Sequence, residues 1–144
     1  MILSRASEYA IRLIFYLYER QPLSCYARIK DVAKDLDVSY NQLAKVAHLL
    51  IAKKILVSST GPTGGIDLGS KSDDLTLSAI VTVFGDGEIF DRCILGLSEC
   101  SNENPCPVHA VWGVTRGDMK DMFFNKSLSE LKAEAVLPLF RGID

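Results

Sequence analysis

The chain has 144 residues, 48% hydrophobic and 24% charged, with 10 Gly and 5 Pro. This excludes a disordered, collagen-like or low-complexity chain, and the length suits one compact domain or one domain with an appended helical part. The longest uninterrupted apolar run, Leu13 to Tyr18, falls far short of the roughly 20 residues a membrane-spanning helix needs. Arg5 and Glu8 stand where a secretory leader would be apolar, so a soluble cytoplasmic protein is expected. The formal net charge of −2 hides an asymmetry. Residues 1–66 carry nine Lys or Arg against five acids, a balance of +4, whereas residues 67–144 carry seven against thirteen, a balance of −6. A basic front half is what a polyanion-binding module joined to a separate second region looks like.

In chain order, Ser4 is placed to cap a helix running to about Arg20 and closed by Pro22. Ala6, Tyr9, Ala10, Leu13, Ile14 and Leu17 recur on one of its faces. Ile29 to Leu36 reads as a compact helix with Ile29, Val32, Ala33 and Leu36 inward, and Asp37-Val38 turns the chain. Ser39-Tyr40-Asn41-Gln42 has the form of a capping box. The helix it opens continues to about Lys53, burying Leu43, Val46, Ala47 and Leu50 and showing Tyr40, Asn41, Lys45 and His48 on the opposite face. Ile55 to Ser59 and Ile66 to Leu68 are extended segments around a glycine-rich tip, which makes a hairpin. Helix, short helix, turn, capped helix and hairpin is the order of a winged helix-turn-helix.

Thr76 to Phe84 reads as a short amphipathic helix with Ile80, Val81 and Phe84 inward, ended by Gly85. Residues 85–106 read as an irregular loop. Pro107 fits the first turn of a helix running to about Asn125, with Val108, Val111, Trp112, Met119, Met122 and Phe123 on its apolar face. Ser127-Leu128-Ser129-Glu130 is a second capping box, opening a helix that stops before Pro138. The expected fold is mainly α with a small β-hairpin. Residues 1–72 are expected to form a winged helix-turn-helix domain, and residues 73–144 a second region of loop and helices.

Two constellations carry chemistry. The start of the capped helix offers small polar and amide groups that can hydrogen-bond base edges, and Lys45, which can meet a phosphate; an ordinary solvated helix face is the bland alternative. Cys93, Cys100 and Cys106 lie in one loop with six and five residues between them. A loop can point three sulfurs at one spot, and this spacing differs from the close pairs of zinc ribbons. Three sulfurs leave an iron–sulfur cluster one ligand short. His109, one turn into the following helix, or Glu8, remote in sequence, could complete it. Cys25 reads as a small buried hydrophobe.

Taken in order, these residues resemble the winged-helix iron–sulfur regulators of the Rrf-two family, the IscR- and NsrR-like proteins, over nearly the whole chain. Leu3-Ser4 with Tyr9-Ala10 matches the family's first helix. Asp31-Val32-Ala33 and Val38 to Leu43 fall in its helix-turn-helix, and Gly61, Gly64-Gly65 and Leu68 in its wing. The three cysteines and Cys106 to Trp112 match its cluster loop and the start of its dimerisation helix. The resemblance implies a homodimer that crosses its long C-terminal helices and presents two recognition helices to a palindromic operator in double-stranded DNA. It implies a cluster that carries the signal of iron supply, oxidation or nitric oxide to a DNA-binding half, most often as a repressor. A [2Fe-2S] centre on Cys93, Cys100, Cys106 and His109 is preferred over a [4Fe-4S] centre, with Glu8 as the alternative fourth ligand. The expected DNA contacts are Ser39, Tyr40, Asn41, Gln42 and Lys45, with Thr60, Gly64 and Gly65 of the wing. Relatives usually carry an arginine at the Thr60 position, and such an arginine would favour a narrow minor groove.

Two other functions remain open in the sequence. The same DNA reader could use a thiol switch in which Cys100 and Cys106 oxidise to a disulfide, without a cluster. A small thiol enzyme with Cys106 as nucleophile and His109 as base lacks an obvious residue to orient the imidazole, and no enzyme is expected.

Overall fold

In a computed structural model, residues 2–20, 25–70 and 72–135 are described. Pro22 and Pro138, expected to end the first and last helices, lie outside them. Helix α1 (Arg5–Glu19) starts where the Ser4 hydroxyl accepts a hydrogen bond from the Ser7 amide at 3.2 Å, satisfying one of the amides a helix start leaves without a partner. Its buried stripe, Tyr9, Ala10, Leu13, Ile14, Leu17 and Tyr18, follows the helical period. Helix α2 (Ile29–Leu36) buries Val32, Ala33 and Leu36 and ends at Asp37, in left-handed backbone at φ +53, which a short polar side chain tolerates. Helix α3 (Tyr40–Ala52) buries Leu43, Val46, Ala47 and Leu50. Only half of its expected capping box forms. Ser39 Oγ accepts from Gln42 N at 3.5 Å, but among the described residues no return bond from the Gln42 side chain is made. Gln42 is left exposed.

Strands β1 (Leu56–Ser59) and β2 (Gly65–Leu68) pair antiparallel, Leu56 opposite Leu68 and Ser59 opposite Gly65. Ala27, just before α2, extends the wing: its N–H and C=O exchange hydrogen bonds of 2.8 Å with Ile66. This contact explains Gly65. Its φ is +150, and a Cβ there would stand 2.2 Å from the Ala27 carbonyl oxygen.

The second half begins with helix α4 (Leu77–Thr82), capped by Thr76. Residues 85–106 are not irregular throughout, because Asp86–Phe90 forms a 3-10 helix. Its C-terminal side chains are drawn into the core: Phe90 is 1% exposed and packs its ring 5.1 Å from Phe123 and 4.9 Å from Phe124. Helix α5 (His109–Phe124) is capped at Val108, so Pro107 precedes the helix rather than occupying its first turn. Helix α6 (Leu128–Glu134) opens with the expected capping box of Ser127 and Glu130. Leu128 N donates to Leu75 O at 2.9 Å, and Tyr18 donates to Asp73 at 2.6 Å, tying this half to α1. The buried side chains of both halves form one cluster, from Leu13 and Leu50 through Ile80 and Phe90 to Leu128.

Two expectations need correction. Cys25 is exposed, its sulfur accepting a bond from Arg20 at 3.4 Å, because it sits in the connection between α1 and α2 outside the core. The apolar face of α5 is mostly uncovered within one chain. Phe123 is buried, Trp112 and Met119 are half-buried, and Val108, Val111 and Met122 are exposed together with Val114 and Phe124. Among the described residues no helix is long and apolar enough to cross a membrane.

The Gly65 contact gives a stability prediction. Gly65→Ala must separate the wing from Ala27, and urea unfolding should show a loss of about 2 kcal/mol or more.

Candidate metal centre and nucleic-acid interface

The cysteine loop is held at its entry by one face of α5. Trp112 Nε1 donates to the Arg92 carbonyl at 3.0 Å, and Arg116 donates to the carbonyls of Asp91 at 3.1 Å and Arg92 at 3.4 Å. Lys120 pairs with the Asp91 carboxylate at 2.8 Å. Residues 112, 116 and 120 are successive i, i+4 positions and therefore lie on one stripe of the helix. With Asp91-Arg92 fastened there, Cys93 starts the loop against the helix that Cys106 and His109 lead into. The loop returns through bonds of its own, Gly96 N to Cys93 O at 3.0 Å and Ser101 N to Asn104 O at 3.2 Å. Gly96 takes the turn in left-handed backbone at φ +73.

The result is a group of three sulfurs, Cys93, Cys100 and Cys106, all within 4.8 Å of one another. Cys93 Sγ and Cys106 Sγ are 3.7 Å apart. His109 adjoins the group through Cys100, with Nδ1 3.2 Å from the sulfur, and its other nitrogen, Nε2, meets Asn102 Oδ1 at 2.9 Å. An amide oxygen only accepts, so this contact favours the proton on Nε2 and leaves the Nδ1 lone pair toward Cys100. Glu8, half-buried on α1, does not join the sulfur group within the chain.

Burial pushes the Cys93 thiol up, but backbone hydrogen bonds from Leu97 and Leu95 and the neighbouring thiols outweigh it and hold its pKa below the ordinary value. For Cys100 the backbone hydrogen bond at Cys106 lowers the pKa. Burial and the sulfurs of Cys106 and Cys93 act the other way and win, so the Cys100 thiol is pushed up. The Cys93 and Cys100 thiols are thus displaced in opposite directions, as expected of coupled groups. Holding three thiolates this close requires a cation among them. Three sulfurs with an adjoining imidazole are the donors that soft metals and iron–sulfur centres select.

In the first half of the chain, Ser39, Tyr40, Asn41, Gln42 and Lys45 are all exposed at the start of α3, and Thr60 is exposed at the wing. The wing glycines differ from expectation. Gly64 is buried and Gly65 half-buried, since added Cβ atoms would meet Ser59 O at 2.4 Å and Ala27 O at 2.2 Å. They let backbones approach each other, which is a reason for glycine that needs no DNA. Sequence reasoning missed Asp91, Trp112, Arg116 and Lys120 as the fastening of the loop and Asn102 as the partner of His109. The four-residue spacing of 112, 116 and 120 was the available signal.

A further link joins the two halves of the chain. The Asp86 carboxylate accepts from Ser4 N at 2.9 Å and Ser4 Oγ at 2.7 Å, clasping the start of α1 to the segment that leads into the loop. Burial raises the Asp86 pKa, yet interactions with Ser7 and Ser4 and the charge of Arg92 outweigh it and hold the carboxyl below its usual value. The Ser7 hydroxyl is buried and, among the described residues, has no partner in good hydrogen-bond geometry. A carboxyl with a depressed folded-state pKa contributes stability above its unfolded value, near 3.9, and loses it as pH falls through the folded value. Asp86→Ala should therefore cost about 1–2 kcal/mol at pH 7, allowing for partial exposure, and little at a pH below the folded value. Urea unfolding at both pH values checks this.

The family of iron-dependent transcriptional regulators called Rrf2 matches residues 3–134. A helix-turn-helix-type transcriptional regulator of Aquifex aeolicus is 31% identical over 134 residues, covering 91% of each chain. The helix-turn-helix-type transcriptional regulator NsrR of Halalkalibacterium halodurans is 31% identical over 113 residues, 77% of this chain and 72% of the relative. Among solved structures, the global cysteine regulator CymR of B. subtilis superposes with a TM-score of 0.76 at 20% identity, covering 92% of this chain and 97% of that one. IscR of T. potens gives 0.65 at 16% identity, covering 94% and 92%. At these identities the two structures establish the winged-helix fold.

Proposed function

From the premise that the chain belongs to the Rrf2 family of iron-dependent transcriptional regulators, which are DNA-binding regulators rather than enzymes, we propose that its operator binding is controlled by an iron–sulfur cluster. The observation that carries this reading is the convergence of Cys93, Cys100 and Cys106 within 4.8 Å, beside His109. Cys93, Cys100, Cys106 and His109 are the residues that would hold the cluster, with [2Fe-2S] preferred. When bound, the cluster supplies an iron centre that reacts with oxidants or nitric oxide and that iron starvation leaves unbuilt. The chain's own part is to fasten the loop at Asp91 and Arg92, keep the imidazole in one tautomer through Asn102, and stabilise anionic sulfur with backbone N–H groups.

The proposed division places DNA reading in residues 1–72 and sensing and dimerisation in residues 73–144. The uncovered stripe of α5, Val111, Val114 and Met122 among it, suits a second copy of the chain, and a homodimer would present two α3 helices to a palindrome. Repression is the expected outcome of that binding.

Anaerobic purification should give a coloured protein containing iron and sulfide. Cys93→Ala, Cys100→Ala and Cys106→Ala should each abolish the visible spectrum. His109→Ala should alter it, whereas Glu8→Gln should leave it unchanged; the reverse result would assign Glu8, then supplied by the partner copy. Iron-free protein after reconstitution, or bound zinc alone, would overturn the cluster.

A second reading has its own observation. The Cys93 and Cys106 sulfurs stand 3.7 Å apart, against about 2.05 Å in a formed disulfide. This favours Cys93–Cys106 as the pair of a thiol switch, beside the Cys100–Cys106 pair that the sequence offers. Loss of two thiols on peroxide treatment of iron-free protein, with Cys100 still titratable, would favour it.

For DNA, Asn41→Ala and Gln42→Ala should each reduce discrimination between operator and random duplex by about 1–3 kcal/mol. Lys45→Ala should weaken both and flatten the salt dependence. Fluorescence anisotropy across a salt series checks all three.

A further inference from the structure

The wing carries no positive charge of its own, since residues 56–68 contain neither Lys nor Arg. Its cation comes from the residue before α2. Arg28 is exposed, in extended backbone, and makes no side-chain cap on its own helix. Instead Arg28 Nη2 donates to the Pro62 carbonyl at the wing tip, at 2.6 Å. Its backbone is fixed as well. The Arg28 carbonyl accepts from Asp31 N and Val32 N at 3.0 Å each, and Ala27 beside it is paired in both directions with Ile66. Both ends of this long side chain are therefore tied, and much of the entropy that ordering an arginine would lose on binding is already lost.

A guanidinium has five N–H donors in a planar fork, and one bond to Pro62 leaves the rest of the fork. Among the described residues the ion pairs are Lys120–Asp91 and Lys126–Glu134, and no described carboxylate within 4 Å neutralises Arg28. Arg28 lines a groove of about 440 Å³ between the wing and the start of α3, with Lys30, Tyr40, His48, Ser58 and Gly64 among its walls and no acidic residue in the lining. On its other side it borders a groove shared with Arg20 and Asp31. Asp31 is the acid nearest in sequence, and it makes no ion pair with Arg28.

We propose that Arg28 is the phosphate-binding residue of the wing. Held by the Pro62 carbonyl, it presents its remaining N–H donors to a backbone phosphate of the duplex whose major groove α3 enters. Charge-assisted, planar guanidinium–phosphate bonding is the chemistry for which arginine is suited. The inference rests on the DNA-binding reading above and adds a contact that lies outside both α3 and the hairpin sequence.

The probe is a mixed-sequence duplex of about 30 base pairs, long enough for two half-sites a helical turn apart. Its binding to the full chain is measured by anisotropy over a salt series. Arg28→Gln should bind about tenfold more weakly near 0.1 M salt, with the slope of log K against log salt shallower by about 0.9, the loss of one neutralised phosphate. Arg28→Lys should keep the slope while losing a few-fold in affinity. If Arg28→Gln does not fold, Arg28→Lys decides, because a slope reduced by about 0.9 in that variant would overturn the proposal. An unchanged slope in a folded Arg28→Gln with lowered thermal stability assigns Arg28 to stapling the wing and overturns it too. Wild-type protein that binds no duplex at any salt defeats the DNA-binding reading itself, an outcome distinct from an unchanged Arg28→Gln slope.

Discussion

The gathering of the three cysteines depends on the fastening of Asp91-Arg92 to α5. A loop of some fifteen residues has no reason of its own to close three sulfurs on one point, because each residue left free costs conformational entropy to order. Trp112, Arg116 and Lys120 place that cost on a helix that is already formed. Once the loop leaves from the helix it will re-enter, Cys93 and Cys106 are brought together by closure alone. The short bonds within the loop then set Cys100 opposite His109.

The wing depends on an analogous closure. The wing would be a two-stranded hairpin of marginal stability if it stood alone. It does not stand alone: Ala27 exchanges hydrogen bonds with Ile66, and Gly65 permits the approach. The wing is thereby fixed relative to α2, and α2 to α3 through Val32, Leu36, Leu43 and Val46 in one core. Helix α1 runs between the two halves. It touches Asp86 through Ser4 at its start, Asp73 through Tyr18, and Asp35 of α2 through Tyr16 at 2.6 Å. Desolvation, together with the Asp35 and Asp73 bonds, pushes the pKa of each phenol up to about 12. Both therefore remain donors throughout the neutral range.

Much of this was legible without coordinates. The helical period placed Leu13, Leu43 and Leu50 in the core, the caps at Ser4, Thr76 and Ser127 lie where hydroxyl residues precede apolar runs, and the glycine-rich tip marked the hairpin. The ordered motifs pointed to the family. Asp86–Phe90 was not legible. Its glycines and acids read as loop, and it becomes a 3-10 helix because Ile89 and Phe90 have a core to enter. Cys25 was misread for the converse reason: a small apolar residue is buried only if its segment passes over the core.

Sequence by itself determined the elements, the winged helix-turn-helix order and which cysteines share one loop, because those follow from period, capping and residue type, all of which are local. Tertiary structure decided that the three sulfurs meet, that His109 rather than Glu8 adjoins them within the chain, and that Arg28 stands at the wing tip. Those are distances between residues far apart in the sequence or carried by irregular loops. They are fixed by closures through Arg92, Asp86 and Ala27 that no local pattern encodes.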